Sequence, residues 1–83
     1  MLRFIVYRRG DLSETHSNGL QGPRDLPQYE GVVFTDGSVV IRWCTQFKST
    51  SFWNSFDELM QVHGHLNDSR YKTEVVWLDG KPE

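Results

Sequence analysis

The sequence predicts an α+β domain in which a small antiparallel sheet of four strands carries one short helix. Three observations predict it. An Asp36-Gly37 pair stands between two β-branched, aromatic runs, Tyr29 to Phe34 and Val39 to Trp43, which is among the strongest short hairpin signals. A Ser-x-x-Glu capping box at Ser55 and Glu58 opens a stripe of apolar residues at helical spacing. Two further strand-like runs stand near the ends of the sequence, Leu2 to Arg9 and Thr73 to Leu78. The order is β, long loop, β, β, α, β, and 83 residues fit a single domain over 1–83.

The first strand, Leu2 to Arg9, ends at Gly10-Asp11. Its period-2 alternation places Leu2, Phe4, Val6 and Arg8 on one face and Arg3, Ile5, Tyr7 and Arg9 on the other; the more apolar first set is expected to face the core. From 10 to 28 the pattern is lost, and Gly10, Asn18-Gly19, Gly22-Pro23 and Pro27 punctuate the chain. Structureless loops longer than roughly 12–15 residues are usually functional or mobile, and that is the expectation for 10–28. The hairpin follows, with a type I′ turn expected because Gly37 tolerates positive φ. Its second strand alternates Val39, Ile41 and Trp43 against Val40, Arg42 and Cys44. The stretch from Thr45 to Asn54 is polar with Phe47, Phe52 and Trp53 embedded; an extended piece near Ser51 to Trp53 is an option that the four-strand count leaves out.

The helix is expected to carry Phe56, Leu59, Met60 and His63 on its docked face, at i, i+3, i+4 and i+7. Asp57 and Glu58 suit the positive end of its dipole, and Gly64 suits the left-handed position just past its end. About two and a half turns cannot persist alone, so this helix must dock on the sheet.

Composition narrows the function. Three Trp, five Phe and three Tyr supply the apolar area that a small core needs. A formal net charge of −2 attracts neither nucleic acid nor an acidic membrane strongly. The single cysteine, Cys44, excludes an internal disulfide and fits a reducing compartment such as a bacterial cytoplasm. The N-terminal apolar run is too short and too charged for a signal peptide or a membrane span.

Few clusters suggest chemistry. His63, His65 and Asp68 have spacing that could bind zinc for a metal-dependent hydrolase, but histidines at a helix end are equally favoured by the dipole and as caps. Without cysteine partners the capping reading is preferred, so no metal and no cofactor are expected. Cys44 reads as a small apolar strand residue rather than a nucleophile. There is no phosphate-binding glycine loop and no dinucleotide fingerprint. No catalytic residue is assigned, and the chain is expected not to be an enzyme. Arg8, Arg9, Arg42 and Lys48 with nearby aromatics could form a nucleic-acid face. The competing explanation is solvated charge along strand edges, which also discourages edge pairing.

Several stretches resemble a known set. Gly31-Val32-Val33-Phe34-Thr35-Asp36-Gly37-Ser38-Val39-Val40-Ile41-Arg42-Trp43, then Ser49 to Ser55, then Val62-His63-Gly64-His65, then Thr73 to Asp79, are similar to small proteins encoded by bacteriophages, prophages and their mainly actinobacterial hosts. The likeness covers about Gly31 to Asp79 with the first strand. It departs in the long loop, where Asp11-Leu12-Ser13-Glu14 replaces Gly/Ser-rich sequence, and at Asn67 to Lys72, which is longer than in that set. The resemblance implies a phage-encoded, non-enzymatic protein that binds a host protein in the bacterial cytoplasm and modulates or inhibits it, for example a CRISPR nuclease or another defence factor. The expected partner surface joins the loop residues Asp11, Glu14, His16, Arg24 and Asp25 to Trp53 and to His63 and His65 at the helix end. The rival reading is a small nucleic-acid-binding protein. A monomer and a homodimer are both compatible with the sequence.

Overall fold

The structure, a computed structural model, describes residues 1–10, 26–45 and 47–80. Among the described residues, five strands form one sheet: β1 (Leu2–Arg8), β2 (Tyr29–Val33), β3 (Val39–Trp43), β4 (Thr50–Trp53) and β5 (Thr73–Trp77), with one described helix, α1 (Phe56–His63), between β4 and β5. The strand order is β4-β3-β2-β1-β5, and every neighbouring pair is antiparallel.

The expected four-stranded sheet is therefore corrected to five strands. The added strand is β4, four residues that pair with β3 from Val39↔Trp53 to Arg42↔Thr50. Four residues of mixed polarity show no periodicity of their own, and their extended form comes from the ladder that β3 offers. The order of the remaining elements is as read from the sequence.

The hairpin also needs a correction. Gly37 has φ +90°, but Asp36 is not among the residues of positive φ, so the turn is not type I′. The Gly37 N–H donates to the Phe34 carbonyl, and the Phe34 N–H donates to the Ser38 carbonyl. This is the longer hairpin loop, a type I turn closed by a left-handed glycine. Asp36 Oδ1 accepts from the Ser38 N–H at 2.9 Å and from its hydroxyl at 2.6 Å, which holds Asp36 out of the left-handed region.

Ladder register sorts side chains onto two faces. One carries Phe4, Val6 and Arg8 of β1, Tyr29 of β2, Val39, Ile41 and Trp43 of β3, Trp53 of β4, and Val75 and Trp77 of β5. The helix packs here, burying Leu59 and Met60 against Phe4, Val6, Tyr29, Val39 and Ile41. Phe56 meets Phe4 edge-on at 5.1 Å and Trp77 at 4.9 Å. At the other end of the helix, the His63 ring stands edge-on to Trp43 at 4.9 Å and to Trp53 at 5.3 Å. Gly31 keeps the floor low between them, since a Cβ there would lie 2.7 Å from Phe4 Cζ and 2.6 Å from the Val40 carbonyl oxygen.

Ser55 caps α1, its hydroxyl accepting from the Glu58 N–H at 3.1 Å. At the C-terminus the left-handed residue is His65, with φ 50°, while Gly64 stays in the right-handed helical region. The expected role of Gly64 thus passes to the next residue. No described helix is long and apolar enough to cross a membrane.

Candidate functional site

The second face of the sheet follows from the same registers. It carries Arg3, Ile5 and Tyr7 of β1, Glu30 and Val32 of β2, Val40 and Arg42 of β3, Thr50 and Phe52 of β4, and Glu74 and Val76 of β5, with Leu78 just beyond. No described element packs over it. Its centre is apolar: Ile5, Val32, Val40 and Val76 are half-buried by their neighbours alone. Phe52 is 80% exposed and Leu78 is 48% exposed at its two flanks. A shallow groove of about 330 Å³ runs over Ile5, Val32 and Val40 between Arg3, Arg42 and Leu78.

Two of the arginines around this apolar strip are ion-paired, and a third faces a carboxylate across the ladder. Arg3 grips Asp79 through three hydrogen bonds, Nη2 to Oδ1 at 2.8 Å, Nε to Oδ2 at 3.0 Å and its backbone N–H to Oδ2 at 2.9 Å. Those bonds hold the Asp79 carboxyl down at about 2. Arg9 Nε donates to Glu74 at 2.8 Å while its guanidinium lies 4.0 Å from the centre of the Tyr7 ring. Arg42 pairs in register with Glu30 and donates to Thr50 Oγ1 at 3.1 Å. Each of the three arginines thus has a carboxylate beside it or directly across the ladder. An apolar centre with a rim of compensated charge is the anatomy of a protein contact surface. A nucleic-acid face needs uncompensated cations facing phosphate.

The residues proposed for nucleic acid do not converge. Arg8 is buried on the helix-covered face, where Nη2 donates to the His63 carbonyl at 2.6 Å. Arg9 and Arg42 are on the uncovered face, on β1's end and on β3, and Lys48 is exposed in the connection before β4. Only Arg42 and Lys48 come from one neighbourhood.

The expected partner surface is assembled in part. Trp53 and His63 meet on the helix-covered face. Burial, the Arg8 cation and His65 lower the affinity of His63 for a proton. His65 turns elsewhere and stacks flat on Tyr71 at 3.9 Å. Asp11, Glu14, His16, Arg24 and Asp25, with the greater part of the 10–28 loop, lie outside the described residues. The zinc reading loses its geometry as well. Asp68 is held by Arg70, Nη2 to Oδ2 at 2.7 Å, with its carboxyl lowered to about 2 by that bonding. Among the described residues, no three His, Cys, Asp or Glu side chains gather closely enough to hold a metal ion. Burial and Glu30 raise the Cys44 thiol, the opposite of an activated nucleophile.

Sequence reasoning missed Ile5, Val32, Val40, Phe52 and Leu78 as functional candidates. A signal for most of them was present. The second alternation of β1 to β3 and β5 sets one aliphatic residue in each strand, Ile5, Val32, Val40 and Val76, among charged ones, and these gather at the centre of the face.

Comparison with known proteins gives one finding. A family model described as "Acb5 phage protein" matches residues 1–79. No curated protein and no solved structure matches significantly.

Proposed function

We propose that this chain, which belongs to the Acb5 phage protein family, is a phage counter-defence factor that binds a host protein stoichiometrically through the uncovered face of its sheet. It is a small phage protein by family. The prefix Acb abbreviates anti-CBASS, so the host target we propose is a component of a CBASS antiphage system, among the defence factors that the resemblance allowed beside a CRISPR nuclease. The site of action is the host cytoplasm.

One structural observation supports binding to protein above binding to nucleic acid. The apolar strip of Ile5, Val32, Val40 and Val76 ends in exposed Phe52 and Leu78, while Arg3 and Arg9 are ion-paired with Asp79 and Glu74 and Arg42 stands across the ladder from Glu30. Such a face gains by burying apolar area, at roughly 25 cal/mol per Å², and releases few counterions. The role is one of occupancy, without catalysis.

The test is phage plating on a host carrying CBASS, with the protein supplied at graded levels. Plating recovers as the protein approaches the molar amount of its target. Full recovery at a small fraction of that amount would contradict binding without turnover, and no recovery at any level would overturn the reading.

A further inference from the structure

The edges of the sheet are built differently. β5 carries Glu74 and follows Lys72, charges that discourage strand addition. β4 reads Thr50-Ser51-Phe52-Trp53. It has no charge, no proline and no bulge, and its register with β3 is unbroken over all four residues.

The backbone groups of β4 divide cleanly. The Trp43 N–H donates to the Ser49 carbonyl, so Trp43 and Ser49 form a hydrogen-bonded pair of the antiparallel ladder. Alternation then makes Ile41↔Ser51 and Val39↔Trp53 hydrogen-bonded pairs as well. Thr50 and Phe52 turn their N–H and carbonyl groups away from β3, towards the side on which no described strand lies. The Phe52 side chain is 80% exposed.

We infer that β4 pairs antiparallel with the β4 of a second copy of this chain, about a twofold axis at Ser51, to join two sheets into one of ten strands. Only a register that sets residues of equal parity opposite each other keeps the two uncovered faces on the same side. Centring on Ser51 does so. It opposes Thr50 of one copy to Phe52 of the other, twice, and each such pair uses the outward backbone groups of both residues. Aromatic against β-branched is a favourable cross-strand pair. The arrangement is isologous and closed, as twofold dimers are.

Charge decides the orientation and the occupant. Lys48 is exposed just before β4. Glu58, also exposed, shares a hollow with Phe52 and Asn54 just after it. Antiparallel self-pairing sets Lys48 of each copy opposite Asn54 of the other and next to Glu58, so unlike charges meet at both ends. Parallel pairing would bring like charges together. The edge complements itself, which favours a second copy over an unrelated strand. This inference does not depend on the identity of the host target.

The experiment is sedimentation velocity over a wide concentration range on the wild type and three variants. Phe52→Pro removes an N–H that points away from β3, so it spares the internal ladder and blocks strand addition. Lys48→Glu makes the ends repel, and Lys48→Glu with Glu58→Lys restores attraction. The wild-type mass should climb with concentration from 9.7 kDa towards twice that value. Phe52→Pro should weaken association by at least about tenfold, through the outward donor that each copy loses. Lys48→Glu should weaken it and the double reversal recover it. A single-chain mass at every concentration would overturn the inference, as would a dimer unchanged by a folded Phe52→Pro variant. Should Phe52→Pro unfold, the charge reversal and its recovery decide, and a dimer indifferent to both overturns the pairing.

Discussion

Arg8 Nη2 donates to the carbonyl of His63 across 2.6 Å, tying the first strand to the last turn of the only described helix. Tyr29 supports the same carbonyl from its hydroxyl at 3.3 Å. The guanidinium is buried, its Nε has no hydrogen-bond partner among the described residues, and its plane centre lies 5.3 Å from the Tyr71 ring. Burial lowers the affinity of Arg8 for its proton and lifts Tyr29 to about 12. A cation suits the negative end of a helix dipole, so Arg8 is a helix anchor and is not available as a phosphate contact.

Arg8→Ala should therefore destabilise the fold by about 2–4 kcal/mol, from the lost bond to His63 and the space left by a buried chain. Arg8→Met should lose less, because it fills the space that Arg8→Ala leaves empty while removing the same buried cation. Urea denaturation of both variants checks the order. Equal losses would show that packing contributes nothing at this position.

His63 should make the fold acid-sensitive. Its folded-state proton affinity is lowered, chiefly by burial and then by Arg8 and His65. The unfolded chain consequently binds more protons near the ordinary histidine pKa of about 6.5, so stability is full above that value and falls as pH drops through the folded pKa. Denaturation midpoints at neutral pH and near pH 5 should differ in that sense for the wild type. The difference should shrink in His63→Phe, and an undiminished slope would assign the effect to another group.

Ser55→Ala removes the hydroxyl that accepts the Glu58 N–H. The expected loss is about 1 kcal/mol, with Ser55→Gly costing only a few tenths. Thermal melts of the two variants give the comparison.

Gly31→Ala tests the packing under the helix. Its Cβ would press on the Phe4 ring and the Val40 carbonyl, both closer than 3 Å. Overpacking of this kind costs about 1–3 kcal/mol. A neutral substitution would mean that β2 can shift at this point without disturbing Phe4.

The fold was legible where a local signal and the tertiary contacts agree. The Asp36-Gly37 hairpin, the Ser55 cap and the helix stripe each leave a spacing in the sequence, and each is where it was expected. The turn type was not legible, because the Asp36 side chain, bonded to Ser38, selects between two loops that both accept Asp-Gly. The strand at Thr50–Trp53 was legible only as an optional extended piece near Ser51 to Trp53, left out of the strand count, since its extended form depends on β3 beside it. Of the partner residues expected from the sequence, Trp53 and His63 do meet, but on the helix-covered face and away from the candidate site. The uncovered face was passed over because Ile5 and Val40 were read as ordinary strand alternation and Val32 and Val76 were given no face. Which of two apolar faces receives the helix depends on where α1 docks, and only the fold supplies that. Arg8 was offered for nucleic acid although the alternation of β1 had already set it with Phe4 and Val6 on the core side, where it is buried.

The most direct test of the central claim is capture of the host target by tagged protein in nuclease-treated lysate, comparing the wild type, Leu78→Asp on the uncovered face and Gln61→Asp on the exposed side of the helix. Leu78→Asp places a charge at the exposed end of the apolar strip, far from the β4 edge. The account predicts one host protein retained equally by the wild type and Gln61→Asp and reduced at least about tenfold by Leu78→Asp, as expected for an anchor in a contact surface. Equal retention by all three, or retention lost with nuclease, would contradict it.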